Sequence, residues 1–298
     1  MRIASSTVSD NVVRQIQQLG AQQAKLQTRV STGQRITNPS DDAAAVGRVI
    51  NLESERRGLT QFARNADRAL EISQASFSGL QQLKALSDRA TEIGTLAAGA
   101  TSDDARDAYA AELDQLLEQA AQLGNTRFRN DYLFAGTAVD APPFTLARDA
   151  DGRITGATYA GNADQASIPL SESAAVTPGT TGATNQSIGD FVNQLAALRD
   201  ALRAGDGAAI TATREQLIAT EDVFVDALAE QGAVQMRIEV NQDLQKDRAD
   251  NLEQLVSADT DDDLATTIVR LNQSQVAYQA ALQSSANIMR LSLLDYLK

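Results

Sequence analysis

Apolar residues recur every three or four positions over long stretches on both sides of a short, proline-rich middle. This spacing is typical of amphipathic helices, because side chains three and four residues apart share one helix face. Four of the five prolines lie between Pro142 and Pro178, and residues 40–141 and 179–298 contain none. Since proline inside a helix costs about 3 kcal/mol, the two proline-free flanks are predicted to form long helices.

The N-terminal helix carries apolar residues at steps of 4, 3, 7 and 4, which is the repeat of a coiled coil. This stripe consists of Val12, Ile16, Leu19, Leu26 and Val30. The helix is expected to end near Gly33, which can adopt a positive φ angle, and Pro39 prevents it from continuing. Ser40 or Asp41 can then cap the second helix.

The C-terminal helix repeats the same spacing, with steps of 4, 3, 7, 4 and 7. Its stripe consists of Leu264, Ile268, Leu271, Tyr278, Leu282 and Met289. Between Leu264 and Leu294 only Arg270 and Arg290 are charged, so the other faces are small and polar rather than ionic. A helix with such small, largely uncharged faces is suited to packing against other helices on several sides. We therefore predict that the two terminal stripes face each other as an assembly interface, and that neighbouring subunits cover what remains exposed.

The middle of the chain completes the predicted architecture. Helices are predicted over 42–98, from Asp104 to Gly124 as an antiparallel hairpin with the preceding helix, over 188–203 and over 208–255. Alternating residues between Phe144 and Tyr159 predict a β-hairpin that turns near residues 151–152. The expected fold is mainly α, a long antiparallel helical bundle or coiled coil formed by both chain ends, with a small β-rich insertion. Its predicted parts are a terminal assembly domain (1–40 and 257–298), a helical rod (41–136 and 187–256) and an outer insertion (137–186).

Composition narrows the function classes. The 298 residues include no Cys, His or Trp, which removes disulfides and the usual zinc sites. The net charge of −13 is unfavourable for binding a nucleic-acid backbone, although residues 1–40 carry five basic residues against one acidic residue. The residues after Arg2 are too polar for the apolar stretch of a cleaved secretory signal, and no run of eighteen apolar residues occurs, so neither a standard signal peptide nor a membrane span is expected.

Candidate chemistry is sparse. The segment 149–152 begins like a calcium loop, but the twelfth position is Ala160 and no bidentate Glu follows, so a β-turn is the preferred interpretation. Scattered carboxylates lack any pattern that would frame a pocket, and solvated helix faces explain them. We therefore predict no enzyme activity, no catalytic residues, no cofactor and no metal site.

The segment that links the first two helices, residues 31–44, resembles the signature that follows the first helix of bacterial flagellins. Further segments resemble flagellin-family sequences in the matching order: 58–61, 64–66, 232–237, 273–275 and 277–279. The resemblance covers both flanks. It implies a flagellin-type helical bundle in an extracellular structural subunit, which is exported unfolded through the flagellar type III apparatus with the help of a chaperone.

Within that family, residues 1–3, 129–137 and 292–297 are more similar to the branch that joins the hook to the filament than to the filament subunit. The compact middle, including residues 159–162, agrees with that branch. The resemblance then implies three structural partners: the first hook-associated protein, flagellin, and other copies of the chain. No nucleic acid or membrane is implied as a partner.

Two other interpretations remain open. The chain could be a short flagellin that forms filaments itself. It could instead be a secreted helical binding module or adhesin, which would need a receptor-facing surface on residues 137–186. For the junction interpretation, the terminal helices are expected to order on assembly, since a two-helix rod leaves most of its apolar surface in water.

Overall fold

The computed structural model describes the backbone of residues 2–99 and 102–296 and the side chains of 10–99 and 102–287. Over these residues the chain forms six helices and three two-stranded antiparallel sheets. The elements are α1 Arg2–Thr32, α2 Ala43–Ala98, α3 Asp103–Gly124, β1 Arg127–Phe128, β2 Asp131–Tyr132, β3 Phe144–Arg148, β4 Ile154–Tyr159, β5 Ile168–Pro169, β6 Ala175–Val176, α4 Gly182–Ala204, α5 Gly207–Thr260 and α6 Leu264–Tyr296. The predicted mainly helical fold is confirmed.

Most predicted helices are confirmed, and their ends differ where polar residues cap them. The α4 helix begins at Gly182 rather than at 188, because the Thr181 hydroxyl accepts a hydrogen bond from the Thr184 amide at 3.2 Å. Residues 179–184, where the helix begins, are rich in Thr and Gly, a composition that favours loops in the absence of such a cap. The α5 helix continues to Thr260 instead of ending near 255.

The predicted β-hairpin is also confirmed, as the pairing of β3 with β4. At its turn, a carboxylate oxygen of Asp149 accepts hydrogen bonds from the amides of Asp151 and Arg153, at 2.9 and 2.8 Å. Gly152 supplies a φ of +83°. Asp149 therefore serves as the cap of a tight turn. In the described part of the chain, no cluster of three acidic or other ligand residues is arranged to hold a metal ion.

The chain divides into two compact units. The terminal unit comprises residues 1–57 and 248–298, and the central unit comprises residues 58–247. The helices α2 and α5 contribute to both. The predicted division into three parts concerns the assembled protein, and it stays a prediction.

The central unit contains the main hydrophobic core, built where α3 and α4 pack with the β3–β4 hairpin and with parts of α2 and α5. Phe144 is buried at the base of the hairpin, and a Cβ atom at Gly124 would lie 2.9 Å from its ring. Arg199 is 2% exposed and donates to the Ile154 carbonyl at 2.6 Å and to Asp114 at 3.1 Å. This guanidinium joins α4, β4 and α3.

Within the central unit α2 and α5 run antiparallel. Lys84 contacts Glu221 at 3.2 Å, Ser73 donates to Gln231 at 2.8 Å, and residue numbers therefore rise along α2 as they fall along α5. A smaller cluster of buried residues lies beside β5 and β6. Its members are Ala66, Ala69, Leu170, Val176 and Ile238.

Candidate assembly surface

The helices α1 and α6 pack against each other in the terminal unit, as the sequence predicted for the two chain ends. Gln34, just after α1, forms an antiparallel bridge with Asp261, just before α6. Further along, a Cβ atom at Gly20 would lie 3.6 Å from the Tyr278 ring. The two helices are therefore antiparallel, and Gly20 lies beside the Tyr278 ring.

The stripe predicted on α1 faces inward. Leu26 is 8% exposed, and the other four members, Val12, Ile16, Leu19 and Val30, are half-buried. Leu19 and Leu26 line a crevice together with Ser274 and Ala277 of α6. The seven-residue spacing on α1 therefore identified the side of that helix that meets its partner.

On α6 the side that meets α1 is rotated from the predicted stripe. Its most buried members are Thr267, Ser274 and Ser285, and the predicted Leu271 and Tyr278 are half-buried beside them. Residues 267, 271, 274 and 278 are spaced by 4, 3 and 4, so a heptad is present, but half of it is hydroxyl side chains. A search for large apolar residues found Leu271 and Tyr278 but missed Thr267 and Ser274. The seven-residue spacing of these two hydroxyl residues was the signal available in the sequence.

The remaining predicted members of the α6 stripe point away from α1. Leu264 and Ile268 are each 44% exposed and Leu282 is 43% exposed, so the structure does not bring them against the α1 stripe. The side chain of Met289 lies outside the described residues. On a further side of α6, Val269 and Val276 are 54% and 67% exposed. The paired terminal helices thus expose a substantial part of their apolar surface.

Hydrogen bonds of the loop between α1 and α2 hold together the end of α1, the start of α2, the end of α5 and the start of α6. Gly33 has a φ of +71°, and its carbonyl accepts a hydrogen bond from the Asp262 amide at 2.9 Å. The Arg35 amide donates to the Thr260 carbonyl at 2.7 Å. This pair of backbone bonds joins the flagellin-like loop to the link between α5 and α6.

The carboxylates of Asp41 and Asp42, at the end of this loop, accept hydrogen bonds from side chains and backbone amides. Asp41 accepts from Lys25 at 2.6 Å and from the Asn38 amide at 3.1 Å, and these bonds hold the Asp41 pKa well below its usual range. Asp42 accepts from the Ala45 amide at 3.0 Å and so caps α2. That backbone bond lowers the Asp42 pKa.

A second ion pair lies where α5 ends. Both Asp259 carboxylate oxygens accept hydrogen bonds from Arg48 of α2, at 2.6 and 3.0 Å. The pairing lowers the pKa of Asp259 and raises the pKa of Arg48. Arg35 adds a bond of 2.8 Å to the Asp259 carbonyl. These groups connect α2 and the α1–α2 loop with the end of α5.

At the start of α6, Asp263 acts as the N-terminal cap. Its carboxylate accepts from the Thr266 hydroxyl at 2.6 Å and from the Ala265 amide at 3.1 Å. The hydroxyl bond is the main cause of the lowered Asp263 pKa. The negative charge of Asp263 also interacts favourably with the positive end of the α6 helix dipole.

None of the helices within the described residues is long and apolar enough to cross a membrane.

Comparison with known proteins agrees with this arrangement. Residues 3–139 match the family described as the bacterial flagellin N-terminal helical region. The chain is 32% identical to flagellar hook-associated protein 3 of Salmonella typhimurium over 149 residues, which cover 49% of this chain and 47% of that protein. It is 25% identical to flagellar hook-associated protein 3 of Escherichia coli over the full length of both chains.

The fold is found in a solved structure as well. The crystal structure of FlgL from Bacillus cereus superposes with a TM-score of 0.61 at 18% identity, covering 70% of this chain and 99% of that one. At that identity the likeness concerns the fold alone. The chain therefore matches the flagellin N-terminal helical region over residues 3–139 and is similar over its full length to a flagellar hook-associated protein 3.

Proposed function

We propose that this chain is a structural subunit of the bacterial flagellum that joins the hook to the filament. The observation that carries the proposal is the α1–α6 pair, which leaves Leu264, Ile268 and Leu282 more than two-fifths exposed. Exposed apolar residues grouped along one helix are typical of surfaces that another protein covers. The full-length similarity to hook-associated protein 3 supports the location of this surface at the junction.

The mechanism we propose is coupled folding and assembly of the terminal helices. Of the five α1 stripe residues only Leu26 is buried within the chain and the other four are half-buried, so the pair by itself gains only part of the apolar burial that these residues could give. Ordering a helix costs backbone entropy in proportion to its length. Neighbouring subunits supply the missing burial, and the helices become stable as the subunit enters the polymer.

The partners we propose are the first hook-associated protein on the hook side, flagellin on the filament side, and copies of this chain within one layer. The predicted assembly residues on α1 and α6 would form the inner part of that layer. Export through the flagellar type III apparatus with a chaperone belongs to the same proposal. The absence of cysteine is compatible with export in an unfolded state, since no disulfide has to form or break.

The proposal is tested by deleting the gene in the bacterium that encodes it and labelling the complementing chain by immuno-electron microscopy. We expect the deletion strain to retain hooks, to lose attached filaments and motility, and to recover both on complementation. The label should form a narrow band at the distal end of the hook.

Two other outcomes would contradict the proposal. Label along the whole filament would identify a filament-forming flagellin. Normal motility after deletion would point to a secreted binding module that is not part of the flagellum.

A further inference from the structure

An apolar ridge on the outer side of α5 has no partner within the described chain. Met236, Val240 and Leu244 are 66%, 54% and 62% exposed, and they follow one another at one-turn spacing. At about 100° per residue, they project away from the α5 side that buries Phe224 and Ile238. An exposed run of large apolar residues on one helix is unusual for a surface that stays in water.

This ridge has an acidic edge. Asp243 and Asp247 are one turn apart and exposed, and they share the outer side of α5 with Met236 and Val240. Neither carboxylate forms an ion pair with any residue that the structure describes. The outer side of α5 is therefore apolar with an unneutralised negative edge.

The outer side of α2 in the central unit carries positive charge instead of negative charge. Arg64 and Arg68 are also one turn apart and exposed, and neither takes part in an ion pair among the described residues. Arg68 lies at the edge of an apolar cleft of about 340 Å³. The cleft is lined by Ile72, Phe128, Tyr132, Leu133, Ile168 and Pro169.

We propose that the α5 ridge of one copy docks against the α2 cleft of a neighbouring copy, with Asp243 and Asp247 opposite Arg64 and Arg68. The spacing matches, because each pair spans one helical turn of about 6 Å at 1.5 Å per residue. Apolar Met236 and Val240 face the apolar cleft, and Met side chains adapt well to irregular apolar gaps.

The polarity of the helices agrees with a side-by-side arrangement. Within one central unit α2 and α5 are antiparallel, and Asp67 meets Gln242 at 2.8 Å. In a neighbour with a parallel axis, Arg68 of one copy and Asp243 of the next therefore lie at nearly the same height. Because the ridge and the cleft are different surfaces of one chain, the contact is heterologous and propagates from copy to copy into a ring or helix. This inference rests on the proposed function, and it adds an outer contact to the one predicted for α1 and α6.

Charge reversal with rescue tests the contact in assembled flagella. We expect Arg64→Glu with Arg68→Glu, and separately Asp243→Lys with Asp247→Lys, each to lower the number of copies per hook by about tenfold or more, because like charges then face each other. All four substitutions in one chain should restore incorporation to near the wild-type number. Reversal of two exposed aspartates elsewhere, Asp107→Lys with Asp190→Lys, is the matched control and should have little effect.

Cysteine cross-linking gives an independent measurement, because the chain has no cysteine of its own. We expect Arg68→Cys with Asp243→Cys to give a ladder of disulfide-linked copies when flagella are oxidised, and each single variant to give none. Thermal unfolding followed by circular dichroism checks that every variant folds.

The outcomes separate the two proposals. Unchanged incorporation in both charge variants, no rescue by the fourfold variant, or no ladder from a chain that is present at the hook would overturn the docking contact alone. A wild-type chain that is absent from flagella would overturn both the docking contact and the proposed function.

Discussion

Removing the exposed side chains of α6 should weaken assembly and leave the isolated subunit unchanged. The triple variant Leu264→Ala, Ile268→Ala and Leu282→Ala removes side chains that are 43–44% exposed. Complete burial of such a side chain contributes about 1.5–3 kcal/mol, so covering the exposed part contributes about 1 kcal/mol each. Alanine is the best helix former, so helix propensity does not oppose the change.

The expected loss is about 3 kcal/mol of association free energy per subunit, which is roughly a 100-fold weaker contact at 1.4 kcal/mol per tenfold. The assay is competition: tagged variant and wild-type chains are expressed together, and their ratio is measured in purified flagella. Leu282→Ala alone should lose about fivefold. The exposed Leu96→Ala, at 48% exposure on α2, is the matched control and should compete equally. A triple variant that is incorporated as well as the wild type would refute the assignment of this surface to a neighbour.

Three further results are expected. Gly33→Ala should lower incorporation into flagella about fivefold in competition with the wild type, because its φ of +71° strains a residue with a Cβ by about 1 kcal/mol, and Gly33→Asn should cost less. Arg199→Met should lower the free energy of unfolding by about 3 kcal/mol, since it breaks a buried ion pair, whereas Arg203→Met on the half-buried neighbour should cost clearly less. Folding lowers the pKa values of Asp41 and Asp259, so the unfolded chain takes up protons first as the pH falls. In assembled flagella, the opening free energy of residues 33–48 measured by hydrogen exchange should be constant above about pH 5 and should fall progressively below about pH 4. An unchanged opening free energy down to about pH 3 would contradict this.

The long helices could be predicted from the sequence because their determinants are local. Each carries apolar residues at three- and four-residue steps, and its ends carry residues that cap or break helices, such as Ser102 before α3 and Gly205 after α4. The β3–β4 hairpin was predictable for the same reason, since Asp149 and Gly152 define the turn within a few residues. The strands β1, β2, β5 and β6 were missed, because pairs of two residues leave no alternating pattern to detect.

The contact between α1 and α6 could be predicted only in part. On α1 the large apolar residues coincide with the inward side, so counting them located the contact. On α6 the inward positions include Thr267 and Ser274, whose burial depends on how closely α1 approaches, and this is a tertiary property. The hydrogen bonds from the 33–42 loop to the end of α5 were hidden for a similar reason. The Arg35 guanidinium donates to the Asp259 carbonyl across a separation of 224 residues, and no local pattern specifies that contact.

The measurement that tests the central claim most directly is hydrogen exchange of α1 and α6 in the dilute, isolated subunit and in purified hook–filament assemblies. The account predicts rapid exchange of both helices in the isolated subunit, strong protection of the α3–α4 core in the same sample, and protection of all of these helices after assembly. Strong protection of α1 and α6 in the dilute subunit would contradict it, because the terminal helices would then hold their structure without neighbours.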